Sequence, residues 1–143
     1  MIKFRKAESA DKEMIRGIYE SAVGNRAKRD DSYWDHLLLA GGLLVAEKAG
    51  RVIAFGGIDI GAAEQVKYLY VLPEEQKTGV GSEILDRLEE IGWRAGLLSL
   101  KLHSAPGAVE YYKRKGYEVV EAGERTEHDH EGTEMIKHRE TQR

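Results

Sequence analysis

Residues 70–95 restrict the fold more than any other stretch. A run ending Tyr70-Val71-Leu72 has strand character and is cut at Pro73, which has no N–H to give to a ladder. From Thr78 the apolar residues take up helical spacing. Val80, Ile84, Leu88, Ile91 and Ala95 form one stripe with Leu85 and Gly92 beside it, while Glu83, Asp86, Arg87, Glu89 and Glu90 are expected to face water. Between strand and helix lies Gln76-Lys77-Thr78-Gly79-Val80-Gly81-Ser82. Its two glycines leave backbone N–H groups open where a helix start has unpaired donors and a partial positive charge. Such a turn is an anion site suited to pyrophosphate, and Lys77 can add a full charge.

The remaining elements follow from periodicity and punctuation. Residues 2–5 alternate as a strand, and Ser9 or Asp11 can cap a helix carrying Met14, Ile15, Ile18, Tyr19 and Ala22 that Gly24 ends. A second helix starts near Ser32, carries Tyr33, Trp34, Leu37 and Leu38, and stops at Gly41-Gly42. Strands are expected over 43–48, 51–60 and 65–72, the first two joined through Ala49-Gly50, so these neighbours are antiparallel. Gly56-Gly57 within the second marks a bulge or a close backbone approach. Residues 97–103 read as a central strand. Pro106 begins a short helix with Ala108, Val109 and Tyr112 that Gly116 closes, and residues 117–122 and 133–138 form a last strand pair.

With 143 residues the chain is the size of one domain, and it is read as a single unit over residues 1–143. Hydrophobic residues at 41%, charged residues at 33% and a mean hydropathy of −0.52 fit neither a disordered chain nor a membrane protein. No apolar run approaches a membrane span and residues 1–10 hold no apolar signal segment, so a soluble, cytoplasmic protein is expected. The lack of cysteine removes disulfides, thiolate nucleophiles and sulfur-held metals. A net charge of −3 gives no general attraction to nucleic acid, and the basic patch at residues 25–29 is answered at once by Asp30 and Asp31.

Two common phosphate-binding patterns fail on residues: no G-x-x-x-x-G-K-[ST] occurs, and Ile84 stands where G-x-G-x-x-G needs its third glycine. What matches is Q/R-x-x-G-x-G/A after a strand ending V-x-P, here Val71-Leu72-Pro73 followed by Gln76 to Gly81. This resembles the acetyl-CoA signature of the GCN5-related N-acetyltransferase (GNAT) family. A second element, Ala108-Val109-Glu110-Tyr111-Tyr112-Lys113-Arg114-Lys115-Gly116-Tyr117, is similar to that family's A-x-x-x-Y-x-x-x-G-F/Y segment, and the hairpin at 45–54 and the closing Met135-Ile136-Lys137 also resemble family patterns. The resemblance implies an α/β (α+β) fold, a mostly antiparallel central sheet flanked by helices in the order β-α-α-β-β-β-α-β-α-β-β.

It also implies a mechanism. The fourth and fifth strands splay apart, and the pantetheine arm of acetyl-CoA pairs with the backbone of Leu69, Tyr70 and Val71. The pyrophosphate falls on Gln76, Lys77, Thr78, Gly79, Val80, Gly81 and Ser82. An amine acceptor attacks the thioester directly, the Val71 N–H stabilises the oxyanion, and Tyr112 protonates the leaving thiolate. Tyr111 is the neighbour most easily mistaken for it. The glutamate that one branch of the family uses as base aligns with Gln65, which cannot take a proton. Glu64 is ranked first as base, with Asp59 and an ordered water as alternatives. Ala105 stands where many relatives have asparagine, and Lys113, Arg114 and Lys115 either meet the cofactor's 3′-phosphate or are simply solvated.

No metal is expected. His128-Asp129-His130-Glu131 lacks a third spaced ligand, although that loop lines the acceptor site in the resembled family. Tyr33 and Trp34 either face the acceptor or pack on the core. The partners expected are acetyl-CoA and an amine, without nucleic acid or membrane, and a homodimer through an edge at Thr133–His138. Loss of the acid or base, suggested by Gln65 and Ala105, would leave a non-catalytic acyl-CoA sensor instead.

Overall fold

The computed structural model describes residues 1–23, 30–120 and 132–140. Its elements are β1 (Ile2–Lys6), α1 (Lys12–Val23), α2 (Asp31–Leu39), β2 (Leu43–Lys48), β3 (Arg51–Ile58), β4 (Val66–Val71), α3 (Val80–Arg94), β5 (Ser99–Ser104), α4 (Val109–Arg114), β6 (Glu118–Val119) and β7 (Thr133–His138). This is the expected element order. Gly24, the basic patch, residues 121 and 122 of the expected strand, and the segment His128 to Glu131 lie outside the described residues.

The strands form two antiparallel sheets, β1-β2-β3-β4 and β5-β7-β6. The strand at 97–103 was expected to be central; instead β5 starts at Ser99 and is an edge strand of its sheet, with burial alternating along it and Leu98 three-quarters exposed. Conversely β7 lies between β5 and β6, so the expected dimer edge at Thr133–His138 is an interior strand. Strand neighbours are a tertiary property that periodicity does not carry.

Each face of the larger sheet covers a core. Leu44 and Ala46 of β2 join Val80, Ile84, Leu85 and Leu88 of α3, whereas Leu43 and Val45 join Ile15, Ile18 and Tyr19 of α1 and Trp34 and Leu37 of α2. Met14 and Ala22, expected on the buried face of α1, are exposed. At Gly56 α3 packs tightly against the sheet. A Cβ there would lie 2.5 Å from Ile84 Cγ2 and 2.9 Å from Leu88 Cδ1. The bulge expected in the same region is also present, as a register shift between Gly57 and Ile58.

Asp11 acts at the entry to α1. Its carboxylate accepts the Glu8 N–H at 2.7 Å and two bonds from the Arg5 guanidinium at 2.7 and 2.9 Å, while Arg5 also bonds Glu47. The Arg5 hydrogen bonds hold the Asp11 carboxyl below its ordinary pKa.

Glu89 was expected to face water and is buried. It accepts the Tyr117 hydroxyl at 2.9 Å on one oxygen and Lys137 Nζ at 2.9 Å on the other, linking α3 to the smaller sheet. No helix among the described residues is long and apolar enough to cross a membrane.

Candidate active site

β4 and β5 belong to different sheets, and two cavities are lined in part by β4. Leu72 N donates to Ile53 O at 3.0 Å, and alternation along an antiparallel pair then turns the backbone of Tyr70 toward β3 and those of Leu69 and Val71 away from it. Of the three β4 residues expected to present free backbone, Tyr70 is thus paired within the sheet. Gln76 Nε2 donates to Val71 O at 3.1 Å, folding the turn back onto the strand end.

The turn has the conformation an anion cradle needs. Lys77 and Gly79 have φ of 66° and 88°, both left-handed, and Gly79 is the N-cap of α3. A cavity of about 490 Å³ is lined by Leu69, Val71, Gln76, Lys77, Gly79, Gly81 and Ser82 of this region and by Ala108, Tyr111 and Tyr112 around α4. Of the other two expected turn residues, Thr78 donates its hydroxyl to Glu75 O at 2.6 Å and Val80 buries its side chain in the core, so only their backbone is available to a ligand.

The two adjacent tyrosines differ. Tyr111 shares a 2.8 Å hydrogen bond with Ser82, whereas the Tyr112 hydroxyl has no such bond among the described residues. Tyr112 also lines a second cavity, of about 150 Å³, with Tyr68, Leu69, Tyr70, His103, Ala105 and Ala108. Burial, with Tyr111 and Tyr70 adding, raises the Tyr112 pKa above the ordinary tyrosine value, so the hydroxyl carries its proton throughout the neutral range.

Glu64 pairs with His103 Nδ1, and Glu134 stands beside them, with ligand-capable atoms of all three within 4.8 Å of one another. Asp59 accepts the Gly61 N–H at 3.2 Å and lies 4.0 Å from His36, and it lines neither cavity. Gln65 spans the gap at its far end, its Oε1 accepting Lys101 N–H at 2.9 Å. Trp34 is wholly buried, while Tyr33 meets the hydroxyl of Tyr68. Sequence reasoning passed over His103 and Glu134; the signal available was that both sit on strands beside the expected splay.

Residues 40–119 match the family model described as an acetyltransferase (GNAT) domain. The uncharacterized protein YyaT of Bacillus subtilis (strain 168) is 33% identical over 60 residues, a match spanning 42% of this chain and 40% of that protein. N-acetylglutamate synthase from Neisseria gonorrhoeae, solved with coenzyme A and N-acetyl-glutamate, superposes with a TM-score of 0.80 at 16% identity over 96% of this chain and 35% of that one. PaiA N-acetyltransferase from Thermoplasma acidophilum, solved with coenzyme A, gives 0.71 at 17% identity over 97% of this chain and 99% of its own. YncA of Salmonella typhimurium, a putative acetyltransferase solved with acetyl-CoA, gives 0.75 at 19% identity over 100% of this chain and 96% of its own. At these identities the likeness is one of fold.

Proposed function

The chain belongs to the GNAT acetyltransferase family, and from that membership we propose that it transfers the acetyl group of acetyl-CoA to a primary amine by direct attack. The observation that carries this reading is the 490 Å³ cavity, which joins the Gln76–Ser82 turn to the open side of β4 and ends at Tyr112. The coenzyme A in several solved relatives supports it. Acetyl-CoA supplies an activated thioester. Gln76, Lys77, Thr78, Gly79, Val80, Gly81 and Ser82 hold its pyrophosphate through backbone N–H groups, and the outward backbone of Leu69 and Val71 pairs with its amide-bearing arm. The Val71 N–H stabilises the developing oxyanion, and Tyr112 gives its proton to the departing sulfur. A tyrosine of ordinary pKa near ~10 already holds its proton at neutral pH, so the hydroxyl is available to a departing thiolate. Glu64 is ranked first as the base that takes the proton of the amine.

On this reading the chain is one cytoplasmic domain over residues 1–143. A homodimer would pair through β6, because β7 has a strand on each side. Sedimentation at high concentration tests that assembly, and a monomer would remove it.

The deciding experiment is thiol release from acetyl-CoA with a panel of amines, paired with calorimetric binding of acetyl-CoA. Turnover with at least one amine is expected. Binding without turnover on any acceptor would favour the acyl-CoA sensor, and absence of binding would remove both.

A further inference from the structure

β5 turns part of its backbone away from its own sheet. Val120 N donates to Glu134 O at 2.9 Å and Arg139 N donates to Leu98 O at 2.8 Å. Alternation along β7 then directs the backbone of Glu134 and Ile136 to β6, so their register partners on β5, His103 and Lys101, point their backbone groups away from β7. On that side the Lys101 N–H is taken by Gln65 Oε1 at 2.9 Å. Gln65 stands one residue before β4 and is held at two further points: its Nε2 donates to Ala62 O at 2.9 Å, and its backbone O accepts the Asp59 N–H at 2.8 Å. With both polar ends of the carboxamide engaged, the side chain is a strut from the β3–β4 link to β5. Residue numbers rise from this strut along both strands into the 150 Å³ cavity, which is lined by Val66 to Tyr70 on one side and by Leu102 and His103 on the other. The gap between the sheets begins where Gln65 stands.

We propose that Gln65 is a positioning residue that keeps β4 and β5 apart for the amide-bearing arm of acetyl-CoA, by giving the Lys101 N–H a side-chain acceptor in place of a backbone one. This inference rests on the acetyltransferase reading above. Facing strands with open N–H and C=O groups pair with each other unless something else takes those groups. The outward backbone of Leu69 and Val71 is the part of β4 that the arm uses, and a β5 that advanced to form a ladder would compete for it. Ladder bonding draws two strands to about 4.8 Å, whereas a bond made through a whole side chain is satisfied with the backbones further apart. Glutamine suits the task because its carboxamide accepts on one atom and donates on the other, so Lys101 and Ala62 are both served. A gap that is closed part of the time lowers the apparent affinity by the fraction that is open, while a saturating ligand restores the open form.

The test measures acetyl-CoA affinity by calorimetry and steady-state kinetics with the best amine of the panel, for wild type, Gln65→Met and Gln65→Glu. Gln65→Met keeps the unbranched shape and removes the hydrogen-bonding atoms of the carboxamide. Its Kd and KM for acetyl-CoA should rise about 10-fold, with kcat at saturating acetyl-CoA within about 2-fold of wild type. Gln65→Glu keeps an acceptor for the Lys101 N–H, so its Kd should stay within about 3-fold of wild type. Amide hydrogen exchange of the wild type needs no variant, and the Lys101 N–H should be protected in the ligand-free protein. Unchanged affinity in Gln65→Met, an equal loss in both variants, a fall in kcat in place of a rise in KM, or a Lys101 N–H that exchanges as fast as a surface loop would overturn the proposal while leaving the acetyltransferase reading intact. A wild type that does not bind acetyl-CoA would end both.

Discussion

The hydroxyls of Tyr111 and Ser82 lie 2.8 Å apart, a hydrogen bond that ties α4 to the first turn of α3. Tyr111 thereby has a structural use for its phenol that Tyr112 lacks among the described residues, although both line the 490 Å³ cavity. Tyr112→Phe keeps the ring and removes the proton, so acetyl-CoA affinity should hold while kcat falls about 10²- to 10⁴-fold. Tyr111→Phe should retain most activity. Steady-state kinetics beside calorimetry check the pair, and equal losses at both positions would mean packing rather than acid catalysis.

The anion turn is tested through its glycines. At Gly79 the positive φ disfavours any branched residue, and at Gly81, which lines the 490 Å³ cavity, a Cβ would come within 3.3 Å of Val71 Cγ2. Gly79→Val and Gly81→Val should each weaken acetyl-CoA binding at least about 100-fold, some 2.8 kcal/mol. Unchanged affinity in folded variants would remove the turn from the binding site.

Gly56 offers a packing test far from any chemistry. A single methyl there meets both Ile84 and Leu88, so Gly56→Ala should cost about 1–3 kcal/mol through overpacking. Thermal melting reads this directly.

Two buried links give stability opposite pH dependences. Asp11 has a lowered folded pKa, caused first by Arg5; its contribution is full above the unfolded value of about 3.9 and is lost as pH falls through the lowered one. Asp11→Asn should therefore lower stability by about 2 kcal/mol at pH 7, and the deficit should shrink in acid. Denaturant melts at both pH values check this.

Tyr117 has a raised folded pKa, caused first by burial and then by Glu89. Its contribution is full below the unfolded value of about 10 and is lost as pH rises through the raised one. Tyr117→Phe should cost about 1–3 kcal/mol at neutral pH, because Glu89 then keeps Lys137 alone, and should flatten the fall in stability above pH ~10.

What the sequence made legible was local. The α3 stripe and the Ala49-Gly50 turn both follow from residues within a few positions of one another, and both are present except that Ala95 lies exposed just beyond the helix. Glu89 was misjudged because a glutamate among charged helix residues reads as solvated, and its partners Tyr117 and Lys137 stand 28 and 48 residues away. Glu64 was ranked first as base, ahead of Asp59 and an ordered water, without the two side chains that stand beside it. His103 and Glu134 come to it only through the register of β5 on β7, which no local pattern encodes. That register also made β7 an interior strand, against the expectation of an edge.

The gap between β4 and β5 couples the persistence of the folded chain to the small molecules around it. Whatever pairs with the outward backbone of Leu69 and Val71 binds only the folded form, and a ligand at 100 times its Kd adds about 2.7 kcal/mol. That is a sizeable part of a typical domain's margin of about 5–15 kcal/mol. Where acetyl-CoA is that ligand, the folded chain would last longer in a cell as its cosubstrate becomes more plentiful.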